Sequence, residues 1–195
     1  MRMDKLTSKF QLALADAQSL AAADATLDHF KKTLAADVCY LMDPSGNTIA
    51  STNRDALDSF VGQNFAFRPY FKEAISGKPS TYLALGTTSR KRGAYYSYPV
   101  YRENDDTPLG IAVIKASIFF VERELTPEAT SIQLVVDPQG VIFISSRPEW
   151  LYQLLWPLKP EDIRRLRESR QFGNGPWQWT GLRKRGDAHV IDASE

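Results

Sequence analysis

A chain of 195 residues with 24 Lys+Arg against 23 Asp+Glu carries a formal charge of +1, so no global field directs it to nucleic acid. Its 43% hydrophobic content fits an ordinary core of one large or two small domains, and no run of eighteen apolar residues is present to cross a membrane. Cys39 is the single cysteine, which excludes an internal disulfide; in its apolar run it reads as a small buried hydrophobe.

From residue 4 to about 35 the pattern is helical. Phe10, Leu12, Leu14, Ala17, Leu20 and Ala21 form a rough stripe, alanine is frequent, and neither Gly nor Pro interrupts before Pro44. Asp16, Gln18 and Ser19 break the segment Leu12 to Ala23, which therefore does not read as a signal peptide. Next comes Leu41-Met42-Asp43-Pro44-Ser45-Gly46-Asn47-Thr48-Ile49-Ala50-Ser51-Thr52. This line is written again as Val135-Val136-Asp137-Pro138-Gln139-Gly140-Val141-Ile142-Phe143-Ile144-Ser145-Ser146. In each copy Asp bonds its own backbone to open a turn, Pro presets φ, and Gly takes the left-handed position. Each copy predicts a β-hairpin, and two copies in one frame predict two small sheet units.

Between the copies, 53–67 reads as a loop or short helix. Pro69 to Ser76 reads as a short helix with Pro in its first turn and Gly77 at its end. Thr81 to Leu85 is a predicted strand, and Gly86 to Gly93 a loop rich in hydroxyl and basic groups. Ala94 to Arg102 is a strand carrying Tyr95, Tyr96, Tyr98 and Tyr101, and Glu103 to Pro108 an acidic turn. Leu109 to Ser117, apolar on both sides of Lys115, is a central strand. Phe119 to Leu125 is a linking helix. After the second hairpin come a short helix at Arg147 to Trp150, a charged helix opened by Lys159-Pro160-Glu161-Asp162, and a turn from Gly173 to Trp179. By analogy with the first copy, a last strand would fall beyond Glu195, so the second sheet reads as incomplete. The whole predicts an α+β chain, an antiparallel sheet flanked by helices in the manner of PAS-like sensor domains.

Catalytic patterns are missing from the sequence. His29 and His189 are near no Cys and no nucleophile-elbow Ser, and there is no H-E-x-x-H, C-x-x-C, Walker loop or G-x-G-x-x-G. Asp105-Asp106 and Glu161-Asp162 sit where capping or solvated carboxylates are expected. No catalytic residue, cofactor or metal site is predicted. The denser signal lies in the first copy. Arg68 is set among Phe67, Pro69, Tyr70 and Phe71; Thr87, Thr88 and Ser89 follow Gly86; Lys115 interrupts an apolar strand with no acid beside it. A cation in such a strand is costly unless paired. Either an external anion meets Arg68 and Lys115, or Lys115 snorkels to the sheet edge and Arg68 meets a surface acid. Trp177 and Trp179 read as packing or as a platform for a sugar or partner.

The runs FRPYFKEAISG, ALGTTSRKRGAYYSYPV and GIAVIKAS, with GVIFISSRPEWLY in the second copy, resemble the extracytoplasmic double Cache sensor domain of bacterial C4-dicarboxylate-sensing histidine kinases. The resemblance covers roughly residues 1 to 170. It implies an N-terminal helix (1–37) leading from a membrane span outside this chain, a membrane-distal ligand-binding PAS-like subdomain (38–118) and a membrane-proximal one (119–195, truncated). It further implies an inner-membrane receptor with this region in the periplasm, a homodimer through the helix, and a small organic acid as ligand. By the matched motifs, Arg68 and Tyr70 would hold one carboxylate, Thr87, Thr88 and Ser89 would close over the ligand, and Lys115 would hold the other carboxylate. Arg92, Tyr96 and Ser97 are weaker candidates from the same stretch. Amino-acid-binding members of the fold carry Asp where Lys115 stands and an aromatic where Pro69 follows Arg68, so the departure favours an anionic guest. A chemoreceptor or other receptor with a monocarboxylate or amino acid ligand is the alternative, and an enzyme or a pure interaction module a third reading.

Overall fold

The computed structural model describes residues 17–102, 105–124, 132–185 and 189–192. The elements are α1 (Ala17–Thr33), β1 (Val38–Met42), β2 (Thr48–Ser51), α2 (Pro69–Ile75), β3 (Ser80–Leu85), β4 (Arg92–Tyr101) and β5 (Pro108–Ser117). They are followed by α3 (Phe119–Glu124), β6 (Leu134–Val136), β7 (Ile142–Ser145), a 3-10 turn (Pro148–Trp150), α4 (Pro160–Ser169), β8 (Leu182–Arg185) and β9 (His189–Asp192). The helical reading of residues 4–16 and part of the acidic turn lie outside the described residues. The α+β class expected from the sequence is the one found: a helix, a five-stranded sheet in the order β2-β1-β5-β4-β3, and a small β6-β7 pair.

The chain divides into two compact units. One runs to Tyr82 and resumes over Gly86–Ser117; the other takes Leu83–Leu85 and the chain from Ile118 onward. In the first unit, β1 pairs antiparallel with β2 and β5, and β4 with β5. Strand alternation splits the side chains between two faces. Cys39 and Leu41 of β1, Ala112 and Ile114 of β5 and Val100 of β4 pack with Ala23, Leu27 and Phe30 of α1. Tyr40 and Met42 of β1 have the opposite parity, which the register carries to Val113 and Lys115 of β5 and to Tyr95 and Ser97 of β4. The second unit has its own core, in which Val141, Phe143 and Ile144 pack with Leu166, Phe172 and Trp177.

Arg54, just past β2, secures α1. Its guanidinium donates to both oxygens of Asp28, at 3.1 and 2.7 Å, and its Nε lies 3.7 Å from Asp24. This two-pronged geometry is the strong form of the Arg–carboxylate pair, and it holds the Asp28 carboxyl below its ordinary range.

The repeated turn is built alike in both units. The N–H groups of Ser45 and Asn47 donate to Asp43 Oδ1, and those of Gln139 and Val141 to Asp137 Oδ1. Gly46 and Gly140 adopt φ of +86° and +94°. A Cβ on Gly46 would fall 2.6 to 2.8 Å from Cβ, Cα and N of Ala66. Left-handed φ costs a non-glycine residue about 1–2 kcal/mol, and here a backbone collision adds to it. Gly46→Ala is therefore expected to lower the unfolding free energy by more than about 2 kcal/mol, read from chemical denaturation of the purified protein.

Candidate functional site

The first unit encloses a narrow cavity against the Tyr40 face of its sheet. It is lined by Tyr40, Phe60, Phe65, Arg68, Tyr70, Gly86, Thr87, Thr88 and Tyr95. Its volume is about 10 Å³, room for about one water molecule.

Each wall has a local cause. Arg68 is the residue before Pro69, so it is extended (φ −72°, ψ 135°) and stands at the N-terminal boundary of α2. It is 2% exposed, its guanidinium 5.3 Å from the Phe67 ring centroid. Tyr70, one turn-position on, stacks flat on Tyr95 of β4, with centroids 5.4 Å apart and planes 6° apart. Tyr40 comes up from β1, and its ring meets the edges of Phe60 and Phe65 at 5.4 and 6.3 Å. The phenols of Tyr40 and Tyr70 are hydrogen-bonded at 2.8 Å. Thr87 and Thr88 come from the β3–β4 loop. That loop is closed by the Gly86 N–H donating to Lys91 O and the Arg90 N–H donating to Gly86 O.

Lys115 lies behind this wall. Tyr95 is its cross-strand neighbour, and the ammonium sits 5.8 Å from that ring's centroid. Its Nζ donates to Ser89 Oγ at 2.8 Å. Lys115 is 1% exposed, so it does not snorkel to the sheet edge. Among the described residues no carboxylate forms an ion pair with it. Burial pulls its pKa below the ordinary value of 10.5, an effect that the more distant Asp37 and Asp58 oppose.

The structure thus gathers Arg68, Tyr70, Thr87 and Thr88 around one cavity and sets Ser89 and Lys115 directly beside it. The other three candidates stand elsewhere. Ser97 is buried with the same parity as Tyr95, but its hydroxyl donates to the Tyr70 carbonyl at 3.0 Å, so it braces α2. Tyr96 has the opposite parity, is 38% exposed, and is not brought to the cavity. Arg92 opens β4, half-buried, and does not line the cavity either. Tyr40, Phe60 and Phe65 complete the walls without having been singled out from the sequence, together with Tyr95, one of the four tyrosines noted on its strand. Tyr95 shares the face of Lys115 through the pairing of β4 with β5, which the sequence does not mark. Tyr40 sits in the unbroken apolar run Val38–Met42, where alternation leaves no mark.

Chemically, the cavity offers a guanidinium, phenol and threonine hydroxyls and aromatic faces, with an unneutralised ammonium one residue behind and no carboxylate in the wall. That arrangement receives an anion with an apolar middle. It also makes a thermodynamic statement about Lys115: burying a cation without a counter-charge costs stability. Lys115→Met is expected to raise the unfolding free energy of the ligand-free protein by about 1 kcal/mol or more. Because the folded-state pKa is depressed, the unfolded chain binds the extra proton below 10.5, and wild-type stability rises as pH climbs toward that value. The Met variant is expected to lose that part of the slope, measured by urea denaturation across pH 7 to 10.

No protein-family model matches the chain. It is 38% identical over 136 residues to the C4-dicarboxylate transport sensor protein DctB of Pseudomonas aeruginosa, covering 70% of this chain and 22% of that protein. With the DctB of Rhizobium meliloti it shares 33% identity over 161 residues, 83% of this chain and 25% of that protein. The chain thus spans about a quarter of the length of these curated relatives. Among solved structures, the ligand-binding domain of the Pseudomonas fluorescens chemoreceptor CtaA, in complex with L-serine, superposes with a TM-score of 0.56 at 16% identity. That match covers 77% of this chain and 66% of the other, and it is a likeness of fold alone. The sensor domain of the V. cholerae histidine kinase DctB superposes with a TM-score of 0.77 at 32% identity. The match takes in 97% of this chain and 76% of that one, and on that ground the chain belongs to the DctB sensor-domain family.

Proposed function

We propose that this chain is the extracytoplasmic sensing region of a membrane histidine kinase that detects a small C4-dicarboxylate, and that the first unit binds it. The observation that carries the reading is the buried ammonium of Lys115, bonded to the Ser89 hydroxyl and paired with no carboxylate among the described residues, beside a cavity that also holds Arg68. One carboxylate of the ligand meets Arg68 and Tyr70, the other meets Lys115, and the methylene or alkene middle lies on the rings of Tyr70 and Tyr95. Two cationic ends and no acid in the wall favour a dianion over an amino acid, whose ammonium needs a carboxylate partner.

The cavity holds about one water, so the guest makes its space by displacing the Gly86–Lys91 loop. Lys115 then exchanges the neutral Ser89 hydroxyl for a carboxylate, which adds an ion pair to a bond that was already charge-assisted. The loop resettles with Thr87, Thr88 and Ser89 over the ligand. On this reading the 38–118 segment is the membrane-distal lobe and 119–195 belongs to the proximal one. The long helix leads to a membrane span on the periplasmic side, and two copies associate along it. Ligand-driven adjustment of the sheet passes to α1 through the Arg54–Asp28 fork, a population shift between two arrangements of the dimer.

Calorimetric titration with succinate, malate and fumarate is expected to show saturable binding of at least one acid. Arg68→Ala and Lys115→Ala are each expected to weaken the preferred acid by about 10–100-fold or more, the cost of a desolvated charged hydrogen bond. Full affinity in Lys115→Ala would remove the proposed site.

A further inference from the structure

The phenol pair behind Arg68 holds more information than its bond length. Tyr40 and Tyr70 are 0% and 2% exposed, and both line the cavity. Among the described residues their hydroxyls have no hydrogen-bond partner except each other. Two phenols bring two O–H protons, and one mutual bond uses one of them. Among the described residues the second proton has no acceptor, although a buried donor is normally satisfied. It belongs to whichever phenol is the acceptor of the mutual bond.

On the carboxylate reading the guest decides which phenol that is: Tyr70 gives its proton to the bound oxygen, so Tyr40 donates to Tyr70. The Tyr40 ring packs against Phe60 and Phe65, and among the described residues its hydroxyl bonds only the Tyr70 oxygen. The Arg68 guanidinium acts on both phenols alike, opposing the rise that burial imposes on each. Burial holds both phenols above their ordinary range, so each keeps its proton.

We infer that Tyr40 is a positioning and specificity-determining residue of the ligand site: its O–H occupies the Tyr70 oxygen and leaves Tyr70 able to donate but not to accept. This rests on the carboxylate reading of the same cavity and adds to it a means of exclusion. A carboxylate oxygen takes the free Tyr70 proton beside Arg68. An ammonium brought to the same point finds the Tyr70 lone pair engaged while Tyr40 donates to it, and a buried donor left facing a donor is disfavoured. The relay Tyr40→Tyr70→carboxylate would separate a C4-dicarboxylate from its α-amino analogue without any acidic residue being needed to do so.

The experiment is calorimetric titration of succinate and L-aspartate into wild type, Tyr40→Phe, Tyr70→Phe and the double variant, with circular dichroism and thermal midpoints alongside. Removing one oxygen from Tyr40 keeps its ring contacts. Succinate affinity is expected to fall by roughly 3–10-fold in Tyr40→Phe, one neutral hydrogen bond's worth. The preference for succinate over aspartate is expected to narrow, because the Tyr70 oxygen is released to accept. In the double variant the loss is expected to equal that of Tyr70→Phe alone, as two members of one relay are non-additive. Additive losses, or unchanged affinity and selectivity in a folded Tyr40→Phe, would overturn the relay while leaving the carboxylate site standing. A wild-type protein that binds no dicarboxylate would overturn both.

Discussion

The desolvated ammonium of Lys115 is the constraint around which the first unit is arranged. It stands on the central strand β5, flanked by β1 and β4, where no backbone edge reaches water. Its stem crosses toward β4 at Gly93, where any added Cβ would come within 2.9 Å of the lysine Cε. Its charge is met by one hydroxyl and one ring face. In a domain whose net stability is a small difference between large terms, such an arrangement is a standing cost. It persists as strain persists at functional sites generally: the fold surrounding it is stable enough to carry it.

The walls of the cavity follow from two rules acting together. Alternation along β1, β4 and β5 sends Tyr40, Tyr95 and Lys115 to one side and the contacts of α1 to the other. The pre-proline position then fixes Arg68 in an extended backbone at the head of α2, so the guanidinium and the Tyr70 ring arrive from one short segment. The site is therefore held by β1, β4 and the head of α2 together with two loops, the 53–67 segment carrying Phe60 and Phe65 and the β3–β4 loop. A rigid frame with one movable wall is the geometry in which a small guest can change a structure rather than merely occupy it.

Much of this was legible in the residues. The Asp-Pro-x-Gly line fixed both hairpins because its chemistry is local: a carboxylate within reach of its own backbone and a left-handed glycine need no partner from elsewhere in the chain. Lys115 was legible because a cation in an apolar strand breaks pattern. The parity of the tyrosine strand was not. Tyr95 and Tyr96 are neighbours with equal propensity, and only the pairing of β4 with β5 decides that Tyr95 shares a face with Lys115 while Tyr96 meets solvent. Tyr40 was hidden for a related reason, since a strand covered on both faces loses the period-two signal. Phe60 and Phe65 come from a segment with no period at all, placed by backbone bonds such as the Thr48 N–H to Gln63 O.

The Arg54 fork sets how α1 is able to travel. Its two prongs engage one carboxylate a few residues beyond β2, while Ala23 and Leu27 lie buried on the strands beneath. Rolling the helix about its own axis would swing Asp28 out of the fork and lift the alanine–leucine ridge from its groove at once. A slide along the axis would strain the fork and drag the same ridge across the strands. The helix is thus keyed to the sheet against both motions, so a displacement of β1 or β2 carries α1 with it.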